Sequence, residues 1–70
     1  MTSMYASNQQ VTFNSTAEKG PQGVNAYVVS ELPEHSYDKL EVGPMYRIVF
    51  DIGNGWESTD AFEDELKAQS

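Results

Sequence analysis

A chain of 70 residues is one domain at most, and at this size folding buries only about 60% of the surface exposed in the unfolded state. It has no cysteine, which excludes disulfide staples, thiolate metal sites and cysteine nucleophiles, and its single histidine excludes His-rich zinc sites. Eleven Asp and Glu against four Lys and Arg give a net charge of −7, which opposes non-specific binding to nucleic acid or to an anionic membrane.

Residues 1–9 are small and polar around a lone Tyr5, and they read as a flexible tail preceding a single β domain over 10–70. They carry neither the basic region nor the apolar core of a signal peptide. No apolar run reaches the roughly 18 residues of a spanning helix, so a cytoplasmic location is expected.

Residues 10–14 alternate apolar and polar side chains, as a half-buried strand does. The connection over 15–23 is rich in turn formers. Its Gly20-Pro21-Gln22-Gly23 segment lacks the Lys-Ser/Thr of a phosphate loop, so the glycines are read as turn residues. Residues 24–32 form the second strand. Val24, Ala26 and Val28 fall on one face and Tyr27 and Val29 on the other, as in a bent strand shared between two halves of a small barrel.

A dozen residues, 33–44, follow as a long loop of the kind that is often functional or mobile. His35 next to Ser36 is not a catalytic pair, because adjacent side chains do not converge on a substrate. Residues 45–51 are the strongest strand, with Tyr46, Ile48 and Phe50 on one face. Asn54-Gly55 then marks a hairpin. A two-residue loop there sets Phe50 opposite Thr59 and Ile48 opposite Ala61, and places Trp56 on the face away from Phe50. A three-residue loop would invert the returning strand and turn Trp56 inward. Beyond Asp60, the spacing to Glu63 predicts a helical turn, with Phe62 and Leu66 pointing together into the base of the barrel, then a short strand or frayed end.

Six of the eleven carboxylates lie between Asp51 and Glu65. A calcium loop starting at Asp51 would need acceptors where Gly53 and Gly55 stand, and a glutamate where Phe62 stands, so no metal site is expected. Paired carboxylates for glycoside hydrolysis need a cleft that a chain this short does not promise. Neither an enzymatic activity nor a cofactor is expected. Tyr37 and Trp56 are the aromatic candidates for an exposed binding surface. Glu57, Asp60, Glu63 and Asp64 would flank it and steer a partner with a basic surface.

The run Val49-Phe50-Asp51-Ile52-Gly53-Asn54, with Glu57 after it and Glu65-Leu66 closing, resembles the central hairpin of Tudor and related SH3-like barrels. The likeness covers about twenty of the 70 residues. It implies an all-β, five-stranded SH3-like barrel with one helical turn near the C-terminus. An α+β domain, with residues 60–69 helical on a three- or four-stranded sheet, stands as the alternative. Tudor domains hold methylated Arg or Lys in an aromatic cage. Ile52 stands where the family's cage tyrosine would be. In size and acidity the chain is similar to small bacterial and phage proteins with SH3-like folds. Three functions follow as expectations: a protein-interaction module, an acidic mimic of nucleic acid that inhibits a basic-groove protein, and a reader of a methylated cationic ligand.

Overall fold

A computed structural model describes residues 5–69. Five strands form one antiparallel sheet: β1 (Gln10–Phe13), β2 (Val24–Glu31), β3 (Met45–Asp51), β4 (Trp56–Phe62) and β5 (Leu66–Ala68), in the spatial order β4-β3-β2-β1-β5. Two single helical turns, η1 (Glu34–Ser36) and α1 (Lys39–Val42), lie between β2 and β3, and a 3-10 turn, η2 (Glu63–Glu65), joins β4 to β5. The α+β alternative is corrected at the C-terminal end. Residues 63–65 make one 3-10 turn and the chain returns to strand at Leu66, where pairing with β1 supplies ladder bonds that a further helical turn would forgo.

The period-2 pattern decides which face is covered. On β3, Tyr46, Ile48 and Phe50 are buried in strict alternation with Arg47, Val49 and Asp51. They meet Val11 and Phe13 from β1, Ala26 and Val28 from β2, Ala61 from β4 and Leu66 from β5. A sheet with one apolar face needs that face covered, and here residues of all five strands, with Tyr5, pack together on it. Laid flat, its five strands at about 4.8 Å spacing would hold the two edges about 19 Å apart. The four chain steps from Phe62 to Leu66 reach about 14 Å at most, and less through a 3-10 turn. The sheet must therefore curl. Among the described residues no ladder joins β4 to β5, so the sheet stays open along that seam. A bulge between Val28 and Ser30 marks where β2 bends.

One expectation about the N-terminal flank is corrected. The expected loose tail runs through residue 9, yet Tyr5 is buried against Tyr46, with ring centroids 5.4 Å apart, and its hydroxyl donates to the Leu66 carbonyl at 3.0 Å. Asn8 N–H donates to Val28 O, and Val28 N–H to Gln9 O, so this segment extends the β1 side of the sheet. Residues 1–4 lie outside the described residues. The loop over 33–44 holds η1 and α1.

Candidate interaction surface

The β3–β4 hairpin orients Trp56. Asp51 stands opposite Trp56 and Phe50 opposite Glu57, so the connection spans four residues, 52–55. Ile52 N–H donates to Gly55 O at 3.0 Å, and Gly53 at the tip has φ +97°, a conformation that side chains with a Cβ disfavour. Asp51 Oδ1 accepts Gly53 N–H at 2.7 Å and closes the turn. The expected register of Phe50 with Thr59 and Ile48 with Ala61 is thus off by two residues: Ile48 faces Thr59 and Tyr46 faces Ala61. A shift of two keeps the face, and Trp56 lies away from Phe50, 52% exposed.

On that outer face Trp56 meets Tyr27. Tyr27 stands opposite Val49, and Val49 opposite Ser58, one pleat along from Trp56. The two rings are 5.6 Å apart and inclined at 48°. Tyr27 and Val29 are both exposed, so the patch is an aromatic pair with a valine on its flank. Farther along the same face, Arg47 Nε lies 3.1 Å from Asp60 Oδ1, an exposed ion pair.

The six expected site residues do not gather at one place. Tyr37 and Trp56 are at opposite ends of β3 and β4, about 20 Å apart at roughly 3.3 Å per residue. Tyr37 is half-buried, because Met45 N–H donates to its hydroxyl oxygen at 2.9 Å and ties the loop to the start of β3. A shallow depression of about 390 Å³ there is lined by Pro33, Tyr37, Arg47 and Asp60, among others. Glu57 points to the core side of β4. It lines an open groove of about 660 Å³ at the other end of the sheet, together with Lys19, Phe50 and Asp51. Glu63 Oε2 accepts a hydrogen bond from the Tyr46 hydroxyl at 3.1 Å, and Asp64 is exposed on η2. The acidic segment is not one solvated face.

Two residues of consequence lay outside the expected set. Tyr27 was legible as an outward residue of β2, but only the register shows that it meets Trp56. Glu65 is buried. Its Oε2 accepts from Thr16 N–H at 2.8 Å and from the Thr16 hydroxyl at 3.0 Å, and its Oε1 accepts from Phe62 N–H at 2.8 Å. It supplies one half of a capping box on η2 and pins the β1–β2 connection to it. Among the described residues, no three His, Asp or Glu side chains gather in a way that could hold a metal ion. Comparison with protein-family models, with curated proteins and with solved structures yields no match.

Proposed function

We propose that this chain is a small non-enzymatic protein-interaction module that takes a basic partner on the outer face of β2, β3 and β4. The observation that carries the reading is the exposed Tyr27–Trp56 pair, 5.6 Å between rings, on a chain of net charge −7. Aromatic faces attract guanidinium and ammonium groups, and desolvated aromatic anchors concentrate affinity in small interfaces. Asp51 stands directly across the ladder from Trp56, which favours a cation at that point. The proposal includes an SH3-like barrel left open between β4 and β5. The strand order and the 3-10 turn between the last two strands support that fold.

The test is calorimetric titration with oligo-arginine and oligo-lysine peptides, with Trp56 emission followed in parallel. Saturable binding that weakens with salt, and that falls at least tenfold in Trp56→Ala and in Tyr27→Ala with melting unchanged, is the expected result. Equal affinity in all three proteins would overturn it. The tilt of the two rings, 48°, also suits two walls of a cage. Preference for trimethyl-lysine over lysine peptides would select the methyl-reader reading.

A further inference from the structure

The two edges of the sheet are protected unequally. β5 is three residues long and carries Lys67, two devices that discourage pairing with another strand. β4 runs for seven residues with no Lys, no Pro and no bulge in its ladder. The bond from Ile52 N–H to Gly55 O fixes the alternation along the hairpin. Phe50 with Glu57, Ile48 with Thr59 and Tyr46 with Ala61 are the hydrogen-bonded pairs. The backbone N–H and C=O groups of Trp56, Ser58 and Asp60 therefore point away from β3. The next N–H in that series, Phe62, finds its acceptor outside the sheet in Glu65 Oε1, as this phase requires. Among the described residues, no hydrogen bond outside the ladder uses the backbone of Trp56, Ser58 or Asp60. All three side chains are exposed and share the outer face with Tyr27.

We infer that the free edge of β4 receives an extended segment of the partner as a sixth, antiparallel strand, with basic side chains at every second position. This inference rests on the basic-partner reading above and adds its geometry. Hydrogen-bonded partners on adjacent antiparallel strands project to the same face. The residues bonded to Trp56, Ser58 and Asp60 thus place their side chains beside the Trp56 ring and the Asp60 carboxylate. Arginine suits both: its guanidinium plane stacks on indole, and it can share the Asp60 carboxylate, whose Oδ1 lies 3.1 Å from Arg47 Nε. A second copy of this chain is the poorer occupant. It would bring together two molecules of net charge −7 along a strand that carries Glu57 and Asp60.

The probe is the blocked heptapeptide Arg-Val-Arg-Val-Arg-Val-Arg, titrated into the intact protein. Two N-methylated forms accompany it, one modified at the inner arginines and one at the valines. Ser58→Pro removes one outward N–H at a position where an edge strand tolerates proline. The unmodified peptide should bind saturably, and valine methylation should change affinity less than twofold. Arginine methylation and Ser58→Pro should each weaken it at least tenfold. Should both methylated peptides bind like the parent while Trp56→Ala still weakens binding, strand addition is wrong and the basic-partner reading survives. Absence of saturable binding by any of the peptides removes both. Sedimentation showing a dimer that Ser58→Pro converts to monomer would assign the edge to a second copy and overturn the inference. If Ser58→Pro lowers the melting temperature by itself, the two methylated peptides decide.

Discussion

Glu65 shows how one side chain can tie together segments far apart in sequence. Its two oxygens accept three hydrogen bonds, from Thr16 on the β1–β2 connection and from Phe62 at the end of β4. Glu65→Ala leaves these donors without an acceptor, at a cost of about 2 kcal/mol or more. Glu65→Gln keeps one acceptor oxygen and should lose less. Urea denaturation of the two variants measures the difference. Tyr5 makes a prediction at alkaline pH. Burial, and secondarily the Glu63 charge, raise its pKa above the usual 10.0. The folded state therefore holds the phenolic proton more tightly than the unfolded chain does. The stability this contributes is present below pH 10 and is lost as the pH rises from there through the folded value. Tyr5→Phe should lose the bond to Leu66 O at neutral pH, about 1 kcal/mol, and show a shallower fall in alkaline denaturation. Neither role was legible in the sequence. Tyr5 stands among small polar residues that suggest no burial, and Glu65 is one acid in a run of three, distinguished only by where the 3-10 turn aims it.

At the scale of elements, the alternation at residues 10–13, 24–31 and 45–51 carried the strands, because one buried face imposes a period of two that loops do not imitate. The hairpin was legible in its parity and not in its length. Asn54-Gly55 invites a two-residue turn, but Asp51 captures Gly53 N–H and opens the connection to four residues. A two-residue slip leaves every side chain on its face, so Trp56 faces outward in the expected register and in the observed one alike. The tip depends on Gly53 at φ +97°. Gly53→Val should destabilise by more than about 1 kcal/mol, since a β-branched residue cannot relax into that conformation. Gly53→Asn should be milder because Asn tolerates positive φ. Thermal melts of the pair, read against wild type, check this ordering. The binding candidates were legible as residue types only. Tyr37 and Trp56 belong to opposite ends of the same two strands, and sequence distance does not reveal this until the register is known.

For the whole molecule, charge works against compactness. A net charge of −7 on 70 residues repels itself, and the exposed Arg47–Asp60 pair offsets at most about 1 kcal/mol. Raising sodium chloride from about 20 mM to about 500 mM shortens the Debye length to a few ångströms and should raise the melting temperature. A fall in melting temperature would mean that attractive pairs outweigh the net repulsion. The same field acts on solutes near Trp56. Its emission should be quenched readily by neutral acrylamide and less by iodide, with the gap closing in high salt. Equal quenching by both at low salt would show that the local potential around the indole is not negative.

The ladder between β1 and β5 has a consequence for synthesis. It joins Val11, Thr12 and Phe13 to Ala68, Lys67 and Leu66, so the earliest-synthesised of the five strands waits for the latest. Tyr5 and Glu65 add two further links of the same long reach. Before Leu66–Ala68 leave the ribosome, Val11 and Phe13 have no partner on one side and η2 cannot turn the sheet back on itself. Folding of this domain should therefore be late and concerted, with slow loop closure setting the rate. A nascent chain arrested before residue 66 emerges should be digested rapidly by protease, and one released by a further few dozen residues of linker should resist.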